Sequence, residues 1–200
     1  MTNMTKKNEI DFIKIKESYA SHICEGIDLS DQASALLEDN PTVVNYLQEL
    51  IILEFYLDAV RFLAHALPKR EATWWACLCA RNEWTEKTPT NEIKAVELAE
   101  AWVYEPTEDN RVLILPVTEE LTYKTAASWA AIAAFWSGDD ISPVPQAVIP
   151  PPEKLYAKAV IGAVLLSAVQ GSPSNVNENY QLFLQQGINI ANGGNGRAIK

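Results

Sequence analysis

Cysteine is scarce in this sequence, and the residues that occur do not suggest a disulfide framework. Cys24, Cys77 and Cys79 are an odd number, and their spacing matches none of the patterns of disulfide-stapled domains. Free thiols persist in reducing compartments, whereas small secreted domains are rich in disulfides. We therefore expect a cytoplasmic protein whose thiols are reduced.

Positive charge is also in short supply. The 200 residues include 16 Lys and Arg against 26 Asp and Glu, which gives a formal net charge of −10. Binding to the phosphate backbone of DNA or RNA requires a basic surface that displaces counterions, so this charge argues against a nucleic-acid partner. An acidic surface favours solubility or a basic protein partner.

The sequence lacks a long hydrophobic run. The most apolar stretch is AVIGAVLLSAV, residues 159–169, which is roughly half as long as the ~20 residues of a membrane-spanning helix. The first residues, MTNMTKKNEIDFIKIKESY, contain lysines but not the apolar core of a secretory signal. We expect a soluble protein without membrane insertion.

Motifs of catalysis and metal binding are missing as well. The sequence has no G-x-S-x-G, no HExxH and no second cysteine pair, and neither histidine has a recognisable catalytic partner. Cys77 and Cys79 lie two residues apart, which on a helix turns their side chains about 200° from each other, too far to share one ion. The GGNG stretch at 193–196 opens no helix and so is not a phosphate loop. We expect no metal and no cofactor. Whether the protein is an enzyme stays open, and the missing motifs argue against it.

What the sequence does contain is helical periodicity along almost its whole length. Apolar residues recur at three- and four-residue steps, and 48% of the chain is hydrophobic, enough to bury a substantial core. The pattern predicts an all-α fold, a compact bundle of about seven to nine helices. Residues 139–152 are rich in proline and predict a crossover loop. We divide the chain into an N-terminal helical segment whose packing the sequence does not define (1–40), the bundle domain (41–192) and a flexible tail (193–200).

Proline and glycine set the predicted helix boundaries. Residues 41–67 predict one long helix that begins at Asn40-Pro41 and is apolar on most sides, which is typical of a helix at the centre of a bundle. Residues 107–121 predict a short helix broken at Pro116. Residues 117–138 predict an alanine-rich helix that stops at Gly138.

The most unusual segment is LPKREATWWACLCARNEW, residues 67–84. A proline starts a helix here, so Lys69 and Arg70 fall in the first turn, where positive charge opposes the helix dipole. Glu71 has the favourable sign, and Arg70 lies four residues before Trp74, close enough to stack on its indole. Trp74 and Trp75 point about 100° apart, so one can enter the core while the other reaches a neighbouring helix or a partner. These five residues are our candidate partner-binding site; the alternatives are a helix start that serves packing alone and a catalytic site.

Several segments resemble an uncharacterised bacterial family, a domain of unknown function with an LPKREAxWWA signature. They are FLAHALPKREATWWACLCAR (62–81), AEAWVYEPTEDNR (99–111), WAAIAAFWSGD (129–139), PPPEKLYAKAVIGAVLLSAV (150–169) and YQLFLQQGINIANGGNGR (180–197). Together they cover roughly residues 60–197. Members of this family often accompany type VI secretion genes, including those for PAAR-like spike proteins and their adaptors. The resemblance therefore implies an accessory, adaptor or chaperone-like role.

Three kinds of function remain open on these observations. We expect a non-enzymatic protein-binding factor whose partner is a type VI secretion component or effector. One alternative is a small-ligand-binding protein or enzyme with a tryptophan-lined pocket between helices, for which a bound metabolite would raise the melting temperature. Another is an immunity protein that neutralises a toxin, because such proteins are also small and acidic. The sequence gives neither the oligomeric state nor the identity of the partner.

Overall fold

The computed structural model describes residues 12–82, 84–142 and 148–197. Within these residues the secondary structure is helical, with one isolated antiparallel bridge between Tyr19 and Thr42 and no strands. Eight of the described α-helices have seven residues or more, and the others are single turns. The predicted all-α, compact bundle is thus confirmed. The helices are α1 Ala20–Cys24, α2 Asp31–Ala35, α3 Val43–Ile52, α4 Tyr56–Ala66, α5 Lys69–Arg81, α6 Thr90–Tyr104, α7 Glu108–Val112, α8 Ile114–Glu120, α9 Ala126–Phe135, α10 Leu155–Val169 and α11 Val176–Ala191.

Helices α5, α9 and α10 form the centre of the bundle. Every residue of α5 from Ala72 to Ala80 is buried, and α5 packs against α6, α9, α10 and α11. Gly162 on α10 faces Trp129 on α9, where an added Cβ would lie 3.1 Å from the indole. Small side chains of this kind let two helices approach closely. Although α9 and α10 are strongly apolar, no helix in the described residues is both long and apolar enough to cross a membrane.

Residues 41–67 form two helices instead of one, which corrects the prediction. Helix α3 ends in a Schellman motif, in which the Glu54 N–H donates to Ile51 O (3.1 Å) and the Phe55 N–H donates to Leu50 O (2.8 Å). Glu54 has a φ of +59° and occupies the left-handed position where glycine is usual. The local sequence does not mark this break because a glutamate stands there. Helix α3 packs mainly on α4, at the periphery of the bundle and not at its centre.

Helices α7, α8 and α9 also break at other points than predicted. Pro116 lies in the first turn of α8, where backbone N–H groups have no acceptor within the helix, so the proline removes no helical hydrogen bond. The break falls at Leu113 instead, between α7 and α8. A second break separates α8 from α9 at Thr122 and Tyr123, whose φ angles of +53° and +57° are left-handed. Helix α9 then starts with a capping box at Thr125. The predicted single helix over 117–138 is therefore wrong.

The N-terminal part of the described chain packs against α3 and α4. Asp58, buried on α4, accepts hydrogen bonds from the backbone N–H (3.1 Å) and the hydroxyl (2.7 Å) of Ser30. The Tyr46 hydroxyl of α3 donates to Ala33 O at 2.9 Å. Ile23 and Ala33 belong to the same apolar core as the central helices. Buried polar contacts thus fix this segment on the bundle.

The proline-rich crossover joins α9 to α10. Its residues 143–147 lie outside the described part of the chain. On either side of them, the Ile141 N–H donates to Ile149 O at 2.8 Å. The Asp140 carboxylate accepts from the backbone N–H groups of Ile149 and Ser142, and these hydrogen bonds lower the Asp140 pKa. The two ends of the crossover are therefore held together.

Candidate partner-binding cleft at the start of α5

Lys69 and Arg70 contact the ends of neighbouring helices. The Lys69 ammonium donates to Ser137 O, just past the end of α9, at 3.1 Å. The Arg70 Nε donates to Val103 O in the last turn of α6. The C-terminal end of a helix carries unpaired carbonyl groups and partial negative charge, so cations there are favourable. The charges that oppose the dipole of α5 therefore complement the dipoles of α6 and α9.

Trp75 is a core residue. Its side chain is fully buried, and its Nε1 donates to Phe183 O on α11 at 2.8 Å. Gly187 on α11 makes room for the indole, because an added Cβ would lie 3.0 Å from Trp75 Cε2 and 2.5 Å from Leu63 Cδ2. Trp75 therefore does not face a partner, contrary to its place among the candidate residues.

Trp74 lies at the edge of the core and is 9% exposed. Its Nε1 donates to Asn195 O at 2.8 Å, and the Arg197 guanidinium lies over its ring, 4.6 Å from the centroid. Tyr104, which is 64% exposed, meets the indole edge-on with centroids 6.0 Å apart. We expected Arg70 to stack on this indole. The stacked cation is Arg197, because the guanidinium of Arg70 is held by α6.

A surface cleft of about 290 Å³ opens beside the start of α5, and we call it the α5 cleft. It brings together three of the five candidate residues, Arg70, Glu71 and Trp74. Lys69 borders a different depression, next to Trp136. The other residues around the α5 cleft, which the sequence did not indicate, are Lys14, Val103, Tyr104, Ile190 and residues 193–195.

The chain that follows α11 forms one wall of the α5 cleft. Helix α11 ends in a Schellman motif with Gly193 at φ +85°, where the Gly193 N–H donates to Ile190 O and the next N–H to Asn189 O. The Asn189 side chain accepts from the Gly196 N–H at 2.8 Å. The sequence predicts a flexible tail from residue 193, of which 198–200 lie outside the described residues, yet 193–197 make these specific contacts. The sequence signal that could have indicated an ordered 193–197 segment is the ANGGNGR stretch, the last part of the family resemblance.

Lys14 borders the α5 cleft on its N-terminal side. Its ammonium pairs with the Glu71 carboxylate at 3.1 Å, and its backbone N–H donates to Ala191 O at 3.0 Å. The neighbouring Ile13 lies against Gly193, where an added Cβ would be 2.6 Å from Ile13 Cδ1. No sequence pattern marks these contacts, because they join opposite ends of the described chain.

The buried thiols and the imidazole of His65 do not line the α5 cleft. Burial raises the pKa of Cys24 to about 11, and it also raises the pKa values of Cys77 and Cys79. All three thiols therefore stay protonated near neutral pH, which makes them poor nucleophiles and ligands. Burial lowers the pKa of His65, whose Nδ1–H donates to Arg61 O at 2.7 Å. Across the described ranges, no three His, Cys, Asp or Glu side chains are grouped to hold a metal ion.

A second depression, of about 380 Å³, lies beside the buried Arg111. The guanidinium donates to both carboxylate oxygens of Glu108 and to Phe135 O, and it lies over the Phe135 ring. Gly138 lies so close to the Arg111 side chain that an added Cβ would clash with it. We assign Arg111 a structural role, because its donors hold α7 against the end of α9.

Residues 46–191 match the family described as "Family of unknown function (DUF6931)". The chain belongs to DUF6931. No curated protein and no solved structure matches it significantly. The DUF6931 match confirms the resemblance to a domain of unknown function, and it contains Arg70, Glu71, Trp74 and Tyr104. Lys14 and the 193–195 wall of the α5 cleft lie outside the DUF6931 range.

Proposed function

We propose that this DUF6931 protein is a non-enzymatic accessory factor, an adaptor or chaperone, that binds another protein. The observation that supports it is the α5 cleft, where Arg70 and Glu71 flank two aromatic rings and Tyr104 is 64% exposed. Tyrosine, tryptophan and arginine are enriched at protein interfaces and supply much of their binding energy. Cysteine and histidine are common nucleophiles and general bases in enzymes, but the three thiols and His65 do not line the cleft.

We further propose that the partner belongs to a bacterial type VI secretion system and that binding takes place in the cytoplasm. The support is the resemblance to a bacterial family whose members accompany secretion genes. The partner would be a PAAR-like spike protein, its adaptor or an effector. The test of this assignment is the identity of the protein that occupies the α5 cleft.

The experiment is co-purification of the tagged protein from its native host, followed by mass spectrometry, for the unaltered chain, Tyr104→Ser and Tyr123→Ser. Tyr104 borders the cleft, whereas Tyr123 is a matched control, 40% exposed in the turn between α8 and α9. Truncating an aromatic hot spot costs about 2 kcal/mol or more of binding energy. We therefore expect Tyr104→Ser to lose most of the partner and Tyr123→Ser to keep it, with closely similar melting temperatures.

Equal retention of the partner by both variants would contradict the α5 cleft as the binding site. A partner that is lost only with Tyr104→Ser but has no role in secretion would contradict the assignment to type VI secretion. That result would still support the proposal that the protein binds a partner through the α5 cleft.

The α5 cleft also favours a second candidate, a small-ligand-binding protein. Its volume of about 290 Å³ is close to the lower limit for small-molecule sites, roughly 300 Å³. Trp74 and Tyr104 provide an aromatic wall. A metabolite panel should then contain a compound that raises the melting temperature, and Tyr104→Ser should abolish the rise. A panel without such a compound would count against this candidate.

A further inference from the structure

The α5 cleft carries positive charge in an acidic protein. Lys14 and Arg70 stand against a single lining carboxylate, that of Glu71, and Arg197 lies over the indole of Trp74. The whole chain has a formal net charge of −10. A basic partner suits the molecule at large, whereas this cleft has the opposite sign and is complementary to a carboxylate.

The Arg70 guanidinium is anchored on one side and open on the other. Its Nε is held by Val103 O at the end of α6, and its side chain is exposed. Within the described part of the chain, its two terminal nitrogens form neither a hydrogen bond nor an ion pair. The planar fork of arginine can bind both oxygens of a carboxylate, and a fork whose direction is already fixed loses little freedom on binding.

An apolar surface lies next to Arg70. Trp74 and Tyr104 meet edge-to-face, and Ile190 also lines the cleft. An aliphatic or aromatic side chain beside a bound carboxylate would cover the exposed Tyr104 ring and remove it from water.

We propose that the α5 cleft binds an exposed acidic segment of the partner protein. In this segment an Asp or Glu side chain pairs with Arg70, and an adjacent apolar side chain packs on Trp74 and Tyr104. The inference rests on the proposed function and specifies the chemistry of the partner. A polyanion such as a nucleic acid is a poorer match, because a chain of net charge −10 repels it, while one or two carboxylates need only the local cations.

The probe is an array of short fluorescein-labelled peptides, blocked at both ends, in which Glu, Asp, Leu, Phe and Gly are permuted. Matched peptides carry Gln or Lys in place of the acidic residue, or Gln together with a free C-terminal carboxylate. Binding to the full chain is followed by fluorescence polarisation at low and high salt. We expect peptides with an acidic residue beside Leu or Phe to bind, more weakly as salt rises, and the blocked Gln and Lys peptides to bind at least about tenfold more weakly.

Variants of the cleft residues identify the side chain that binds the acidic residue of the peptide. Arg70→Gln should weaken binding about tenfold, because the charged pair is lost. Glu71→Gln should tighten it about two- to threefold, because a competing carboxylate is removed; a residue that serves packing alone would not have this effect. Lys124→Gln, at an exposed lysine in the turn before α9, is the matched control and should bind like the unaltered chain. Glu71→Gln keeps the test valid if Arg70→Gln is unstable, because the Lys14–Glu71 pair is at the surface.

Equal binding of acidic and Gln peptides, or equal binding by Arg70→Gln and Lys124→Gln, would overturn the proposal. Binding only of peptides with a free C-terminal carboxylate would overturn it as well. A partner that is lost with Tyr104→Ser but contacts the cleft through a neutral or basic segment would refute the acidic segment and leave the protein-binding function intact. Acidic peptides that bind through Arg70, with no partner dependent on Tyr104, would support the cleft chemistry and count against the accessory-factor function.

Discussion

At the scale of single residues, Lys69 opposes one helix dipole and complements another. It stands at the first position of α5, where a positive charge is unfavourable, and its ammonium donates to Ser137 O beyond the end of α9. Dipole interactions at a surface amount to about 0.3–1 kcal/mol each. Because the two interactions have opposite signs, a substitution that reverses the charge shows which of them dominates.

We predict that Lys69→Glu lowers stability more than Lys69→Met does. Methionine removes the hydrogen bond and the charge, whereas glutamate also places a negative charge against the negative end of α9. The difference should be about 0.3–1 kcal/mol at low salt and should shrink at high salt. The midpoint of urea unfolding measures it. If Lys69→Glu is instead the more stable variant, the dipole of α5 dominates, and our explanation that Lys69 complements the dipole of α9 is wrong.

At the scale of helices, periodicity locates the elements, while proline and glycine locate their ends. Helices α6, α10 and α11 end at Tyr104, Val169 and Ala191, each shortly before a residue that stops helices: Pro106, Gly171 and Gly193. The breaks at Glu54 and at Thr122–Tyr123 could not be predicted in this way. Residues other than glycine hold the left-handed positions there, and local sequence preference does not favour them.

The Glu54 break gives a test of this explanation. A left-handed backbone costs an L-residue roughly 1–2 kcal/mol, and the extra freedom of glycine in the unfolded chain offsets about 0.4–1 kcal/mol of any gain. We predict that Glu54→Gly leaves stability unchanged or raises it by up to about 1 kcal/mol. Leu53→Gly, at the preceding residue with φ −83°, should lower stability by about 0.5–1 kcal/mol.

Denaturant unfolding followed by circular dichroism measures both glycine variants. The two residues are neighbours and both are exposed, so a general effect of introducing glycine would act on them alike. Equal destabilisation by Glu54→Gly and Leu53→Gly would show that the backbone at residue 54 is not left-handed in solution.

At the scale of the whole molecule, the α5 cleft combines segments that are far apart in sequence. Arg70, Glu71 and Trp74 could be singled out from their local pattern, whereas Lys14 comes from the N-terminal segment and Tyr104 from the end of α6. Periodicity predicts the face of each helix but not which distant segments meet. The same limit applies to Trp74 and Trp75. Helix geometry predicts that one of them enters the core, and only tertiary packing decides that it is Trp75.

The contacts of the N-terminal segment bear on whether residues 41–192 can fold as a domain by themselves. Asp58 is buried on α4 and accepts two hydrogen bonds from Ser30, and its ion pair with Arg61 is longer, at 3.6 Å. The buried Tyr46 hydroxyl donates to Ala33 O. Removing residues 1–40 therefore leaves two buried polar groups of α3 and α4 without these partners, at a cost of about 1–3 kcal/mol each.

We predict that a chain of residues 41–200 melts about 5–15 °C below the full chain, because each kcal/mol shifts the melting temperature by about 2–4 °C at this size. Ser30→Ala is the matched single change: it removes only the hydroxyl donor to Asp58 and should lower the melting temperature by a few degrees. Differential scanning calorimetry measures both. A 41–200 chain as stable as the full one would mean that the bundle needs nothing from the segment before it. Ser30→Ala should then leave the melting temperature unchanged as well. A lower melting temperature for both variants would support Asp58 as the connection between the N-terminal segment and the core.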